Sequence, residues 1–187
     1  MNIAQPKKLQ VFDFDDTLFR IPTFSAIDSV NARIEYRGEP YQFYDSENSL
    51  NHRKYNIQLI GPVHEKYLEC AQDPDCMQIL ITHRVEQLRT RINTILERAG
   101  VNMNKIFILG RVSDKSTIVN SILEKFTSIN EIEIFEDSID QIVKYQNEIK
   151  YQGRAQLNTW IVDKSKMFKV ESHILLSNQH RINLKSI

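Results

Sequence analysis

The stretch "VFDFDDTLF", residues 11–19, sets three aspartates, Asp13, Asp15 and Asp16, within four positions at the end of an apolar run. Val11, Phe12 and Phe14 read as a strand bound for a core. Like charges this close repel, and burying any of them is costly unless something positive is present. The stretch is therefore either an exposed loop or part of a cation site, and the rest of the chain has to decide between the two.

Four further runs have the short, Ile-, Val- and Phe-rich character of buried strands. They are "MQILIT" (77–82), "KIFIL" (105–109), "EIEIF" (131–135) and the segment 159–162 inside "LNTWIVD". With 9–14 they make five. Helical periodicity fills the gaps. Val85, Leu88, Ile92, Ile95, Leu96 and Ala99 fall on one face, and Gly100 follows as a C-cap. Ile118, Ile122, Leu123 and Phe126 form a second face, entered through "SDKS" with Ser113 or Asp114 as N-cap. Ile139, Ile142, Val143 and Ile149 form a third, and Val63, Tyr67 and Ala71 a shorter one. Alternation of this kind predicts a parallel sheet covered by helices on both faces, with ligands beyond the C-terminal strand ends.

Those strand ends carry the polar residues. The first supplies Asp13, Asp15, Asp16 and Thr17; the second supplies Thr82, His83 and Arg84. Lys115 stands at a helix start, and the fourth strand runs into "FEDSID", with Glu136, Asp137 and Asp140. Many carboxylates without a thiolate or a dominant histidine suit a hard cation, and Mg2+ fits best. An aspartate can attack phosphorus, provided a cation and a lysine offset its repulsion from the phosphate. A carboxylate two residues along an extended chain points the same way and can move the proton. A hydroxyl can hold a phosphoryl oxygen, and a lysine ammonium stabilises nucleophile and phosphate together. Singly, Asp16 reads as a cap or loop residue and His83 as a loop residue. Arg84 reads as either a surface residue at a helix start or a phosphate contact.

The set resembles the haloacid dehalogenase superfamily. "DFDDTLF" is similar to its DxDxT motif, "ILITHR" to its second motif, and Lys115 followed by Glu136-Asp137 to its third and fourth, in order across 9–140. The resemblance implies a Rossmann-like three-layer α/β/α fold with a central parallel sheet and a phosphatase activity through an aspartyl-phosphate. It makes Asp13 the nucleophile and Asp15 the general acid/base. Thr17, Thr82, Arg84 and Lys115 become substrate-binding residues. Asp13, the backbone carbonyl of Asp15, Glu136 and Asp137 become the Mg2+ site. The fourth motif reads Glu-Asp-Ser where the family has paired aspartates, so the choice among Glu136, Asp137 and Asp140 stays open. "THR", "FEDS" and the "FDFDDTLFRIP" start also resemble the phosphatase half of polynucleotide kinase–phosphatases and Swiss-army-knife RNA-repair-like domains, which makes an RNA or DNA 3′-phosphate end a candidate substrate.

Residues 20–61 keep no period and are too long for an ordinary connection. They read as a cap-like insert after the first strand, with aromatics Phe24, Tyr36, Tyr41, Phe43, Tyr44 and Tyr55 among Arg33, Arg37, Arg53 and Lys54. Those aromatics are expected to build the insert's own small core, with nucleotide stacking as the sharper alternative. Residues 164–187 form a C-terminal extension in which "FKVESHILL" reads as a candidate edge strand. At 187 residues one domain is expected.

The 24 basic and 24 acidic residues cancel, which excludes a whole-domain polyanion footprint and leans toward a small-molecule phosphate. A catalytically silent binding module of the same fold would lack a nucleophile, acid, lysine or metal residue, and none is missing. Cys70 and Cys76 read as small apolar residues in a reducing compartment. No run matches a membrane span or a signal peptide, so a soluble cytoplasmic protein without membrane partners is expected.

Overall fold

The structure is a computed structural model and describes residues 5–24, 39–111, 113–149, 155–170 and 185–186. Its sheet is built from β1 (Lys8–Phe12), β4 (Cys76–Thr82), β5 (Lys105–Ile108), β6 (Glu131–Glu136), β7 (Gln156–Asp163), β8 (Lys166–Val170) and β9 (Lys185–Ser186). Their order is β5-β4-β1-β6-β7-β8-β9. The first five run parallel, and β8 and β9 are antiparallel additions. The parallel core matches the five runs legible in the sequence. "FKV" of the tail does join the sheet, in β8, but it lies between β7 and β9 and is not the edge; residues 171–184 lie outside the described residues, as do Arg33, Tyr36 and Arg37 of the insert.

Alternation along β1 sends its side chains to opposite faces. Leu9 and Val11 join Ile79, Ile81, Ile132 and Ile134 against α4 (Lys115–Lys125) and α5 (Ile139–Glu148), through Val119, Ile122, Leu123 and Tyr145. Phe12 faces the other way, among Leu80, Phe135 and Trp160, with Val63 and Tyr67 of α2 (Gly61–Cys70) and Ile92, Ile95 and Leu96 of α3 (Arg89–Arg98). Register puts Phe12 beside Phe135 and Phe135 beside Trp160. Their rings stack, with centroids 4.8 Å and 6.3 Å apart. This is the expected sheet between two helical layers.

On the Phe12 face two glutamines and a glutamate at one level are also buried. Gln78 Nε2 donates to Gln10 Oε1 at 2.8 Å, and Gln10 Nε2 donates to Glu133 Oε2 at 2.9 Å. Lys8 Nζ lies 2.8 Å from Glu133.

Local chemistry sets the helix ends. After α3, Gly100 takes φ +69, its N–H bonding Glu97 O at 3.1 Å and that of Val101 bonding Leu96 O at 2.9 Å. That pair of bonds is the Schellman arrangement, which glycine adopts at least cost. Asp114 caps α4 by accepting the Ser116 N–H at 3.0 Å. Ser138 caps α5 through the Gln141 N–H at 3.4 Å. The periodicity before α3 overshoots, because Glu86–Leu88 is a separate 3-10 turn.

The aperiodic 20–61 region holds β2 (Phe19–Arg20) paired antiparallel with β3 (Gln58–Leu59), the short α1 (Pro40–Tyr44) and a 3-10 turn at Glu47–Leu50. Phe43, fully buried, packs with Phe24, Tyr44 and Tyr55, so these aromatics do form a small core of their own. Three arginines bind the described part of this region to the main body: Arg91 to Glu47 at 2.7 Å, Arg111 to Asp45 at 2.7 Å, and Arg84.

Candidate active site

β1 gives up its last ladder bond at Asp13, whose N–H reaches Phe135 O at 3.1 Å. The chain then turns tightly. Phe19 N–H bonds Phe14 O at 3.0 Å and Asp16 N–H bonds Phe19 O at 2.8 Å. Asp16 takes φ +52, a left-handed conformation that Asp tolerates better than most residues. Its carboxylate accepts the Ile21 N–H at 3.4 Å, so it is the loop residue its position suggested. Phe14 and Leu18 are fully buried on either side, which holds the carboxylates of this loop in place.

Asp13 is buried, and so is its partner. Lys115 Nζ donates to Asp13 Oδ1 at 2.7 Å and to Glu136 Oε2 at 2.8 Å. Thr17, fully buried, donates its hydroxyl to Asp13 Oδ2 at 3.4 Å. A lysine at the first position of a helix faces the positive end of the dipole and would ordinarily avoid burial. Here two carboxylates at the ends of adjacent strands compensate it. Burial alone would lower the Lys115 pKa, but Asp13 and Glu136 outweigh it and hold the ammonium above its ordinary value.

The carboxylates feel the opposite pressure. Burial pushes Asp13 up to about 7, with Glu136 adding to the push and Lys115 opposing it. Burial likewise raises Glu136 to about 7, and Asp137 rises to about 6 through lost hydration and the Asp13 charge. Ligand oxygens of Asp13, Glu136 and Asp137 all lie within 4.8 Å of one another. One ammonium, bonded to two of these three carboxylates, leaves an excess of negative charge, and the donor set is all hard oxygen. These residues therefore fit Mg2+. Asp140 is not in the group; it is exposed in the first turn of α5.

Thr82 ends β4 fully buried, its Oγ1 accepting the Arg84 N–H at 3.2 Å. His83 is exposed, with Nε2 3.3 Å from Ser113 O, which fits a loop residue. Arg84 is only 3% exposed and grips Asp15: Nε is 2.9 Å from Oδ2 and Nη2 is 2.6 Å from Oδ1. Its Nη1 donates to Ser49 Oγ at 2.6 Å and to the Tyr44 carbonyl. The structure thus brings Asp13, Thr17, Lys115, Glu136 and Asp137 together and joins Arg84 to Asp15.

Ser49 and the Tyr44 carbonyl carry no signal in the sequence, where Tyr44 reads only as one of the insert's aromatics, because their region has no period. A cleft of about 750 Å3 beside Asp137 was missed too. Asp16, Arg20, Tyr55, Asp137, Lys164 and Ser165 are among the residues that line it. Lys164 and Ser165 form the β7–β8 turn with φ +47 and +70, and Arg20 donates to Ser165 Oγ. Paired left-handed residues are what a two-residue hairpin turn requires, though Asn-Gly is the usual solution. The hydrophobic pattern alone gives no sign of such a turn.

The chain belongs to the family described as HAD domain family 1 in Swiss Army Knife RNA repair proteins, whose sequence model matches residues 45–173. That span holds Thr82, Arg84, Lys115, Glu136 and Asp137; Asp13, Asp15 and Thr17 precede it. Among solved structures, a chain of a Pnkp1/Rnl/Hen1 complex is similar with a TM-score of 0.50 and 13% identity, over 82% of this chain and 46% of that one. This chain therefore spans less than half of that relative's length, and at such identity the likeness is one of fold. The HAD domain of the effector protein Lem4 from Legionella pneumophila is similar with a TM-score of 0.41 and 19% identity, over 82% of this chain and 84% of that one. No curated protein matches the chain. Among the described residues no helix is long and apolar enough to cross a membrane.

Proposed function

We propose that this chain is a phosphomonoester hydrolase that works with Mg2+ through an aspartyl-phosphate on Asp13, on a nucleotide or a nucleic-acid 3′-phosphate end. The observation that carries the reading is the Lys115 bridge: one buried ammonium 2.7 Å from Asp13 and 2.8 Å from Glu136, with Asp137 alongside. A strand-end carboxylate held this way is poised to be an ionised nucleophile once its like-charged neighbours are neutralised.

In the first half-reaction an Asp13 oxygen forms the bond to phosphorus while the bond to the leaving oxygen breaks. That oxygen takes the electron pair and a proton from the Asp15 carboxyl. In the second, a water oxygen attacks phosphorus and passes its proton to the Asp15 carboxylate. The Asp13–phosphorus bond breaks, and inorganic phosphate and the carboxylate are restored. Lys115 and the Thr82 hydroxyl hold the phosphoryl oxygens, and Thr17 orients Asp13. Mg2+ held by Asp13, Glu136 and Asp137 would offset the negative charge of the phosphoryl group.

Support for a nucleotide-type leaving group comes from the cleft, which two cations, Arg20 and Lys164, line together with Tyr55 and Asp137. The family's description, which names RNA repair proteins, points the same way. A panel of 5′-nucleotides, sugar phosphates and 3′-phosphorylated oligonucleotides with Mg2+ tests the reading. Release of phosphate from a 3′-phosphorylated end, abolished by Asp13→Asn, is the expected result. Turnover that survives Asp13→Asn at the wild-type rate would remove Asp13 from its role.

A further inference from the structure

We infer that Arg84 is a positioning residue for Asp15, fastening that carboxylate to the insert, and is not a phosphate contact. The inference rests on the proton-transfer role given to Asp15 above.

A guanidinium has five N–H donors. Nε lies 2.9 and 3.1 Å from the two Asp15 oxygens, and one Nη2 hydrogen goes to Oδ1 at 2.6 Å. Nη1 spends both of its hydrogens on Ser49 Oγ, at 2.6 Å, and on the Tyr44 carbonyl. The Tyr44 ring lies over the guanidinium at 5.3 Å. Only one Nη2 hydrogen is left, on a side chain 3% exposed. A phosphate could take more than that one buried hydrogen, or the bidentate fork of Arg84, only by displacing one of these partners.

Asp15 needs such a partner. It sits in the loop between β1 and β2, its side chain is 31% exposed, and the next residue is left-handed at φ +52. A free carboxylate there would turn to solvent. The fork-to-carboxylate geometry fixes both distance and plane, and small misplacements of a proton-transfer group are expensive in rate. Ser49 is itself fixed, its Oγ donating to Ser46 O at 2.8 Å. The chain of contacts therefore runs from the insert's own fold, through Ser49 and Arg84, to Asp15.

The test exploits leaving-group chemistry. An alkyl phosphate needs a proton on its leaving oxygen, whereas an activated aryl phosphate such as p-nitrophenyl phosphate hardly does. Arg84→Met is expected to lower kcat/KM for a 3′-phosphorylated dinucleotide by roughly a hundredfold, the scale of a general-acid contribution, and for the aryl phosphate far less. Inhibition by inorganic phosphate should hold near its wild-type value. Arg84→Lys, which keeps the charge but not the fork, and Ser49→Ala should show the same imbalance to a smaller degree, and they serve if Arg84→Met does not fold. In an Asp15→Asn background, Arg84→Met should add little to the loss on the dinucleotide. Equal losses on both substrates would make Arg84 merely structural, and a loss matched by weakened phosphate inhibition would make it a substrate contact; either overturns the inference. Wild-type dinucleotide hydrolysis in Asp15→Asn, or no turnover of either substrate by the unaltered protein, would instead refute the function beneath it.

Discussion

Lys115 and Asp13, separated by 102 residues in sequence, meet at 2.7 Å with both side chains under a tenth exposed. A buried pair of this kind is costly to break from one side, because the surviving charge is left without compensation. Lys115→Met would strand Asp13 and Glu136 together. Urea unfolding should show a loss of about 3–5 kcal/mol without divalent cation, smaller when Mg2+ is in excess. Phosphatase activity should disappear.

The raised carboxylates make stability depend on pH. Asp13 and Glu136 move from the ordinary 3.8 and 4.5 to about 7, and Asp137 moves from 3.8 to about 6. A group whose folded value is raised holds its proton more tightly in the folded state. The stability it contributes is complete below the unfolded value and is lost as pH rises through the folded one. In EDTA, the melting temperature should therefore fall between about pH 4 and pH 7. Mg2+ should flatten that slope, since it favours the ionised forms. A melting temperature that rises across this window would contradict the crowding described at the site.

The fourth-motif acids divide by position. Glu136→Gln and Asp137→Asn should each weaken the Mg2+-induced rise in melting temperature, because their oxygens share the 4.8 Å cluster with Asp13. Asp140→Asn should leave the rise intact, since Asp140 points out from the first turn of α5. Its own cost should be no more than about 1 kcal/mol, the scale of a helix-dipole contribution.

If the cleft holds a nucleic-acid end, Arg20→Ala and Lys164→Ala should raise KM for 3′-phosphorylated oligonucleotides more than for the aryl phosphate. Each should also flatten the salt dependence: the slope of log affinity against log salt should shrink by about 0.7 for every phosphate no longer neutralised. Identical salt slopes in wild type and variants would place the oligonucleotide elsewhere.

Much of this arrangement was legible in the chain. The parallel strands stood out because strands buried on both faces read as short runs rich in Ile, Val and Phe, and the helices because each shows only one apolar stripe. Asp13, Lys115 and Glu136 could be grouped because topology delivers strand ends and helix starts to one edge. What could not be read depends on long-range geometry. Nothing in "THR" says that Arg84 turns toward Asp15, since the decision lies with Ser49 and the Tyr44 carbonyl in a segment without periodicity. Nor does "VDKSKM" announce a tight turn, because Lys164 and Ser165 take left-handed conformations usually filled by Asn and Gly. The ladder of Gln10, Gln78 and Glu133 was hidden as well, because each appears in its own strand as one more polar residue with no sign of its partners.

That ladder has a consequence for the opposite end of the sheet. Neighbouring strands made only of Ile, Val and Phe would tolerate a slide of two residues, since every side chain would still meet another apolar one. A slide of β6 past β1 would break the Gln10–Glu133 contact in either direction, and the slide that sets Glu133 beside Phe12 would also take it from Lys8 and leave a charge in the interior without a partner. The polar rungs thus act as a vernier. They fix the axial alignment of three strands far from the chemistry, and so decide that Asp13 and Glu136 finish level with each other, within reach of a single ammonium.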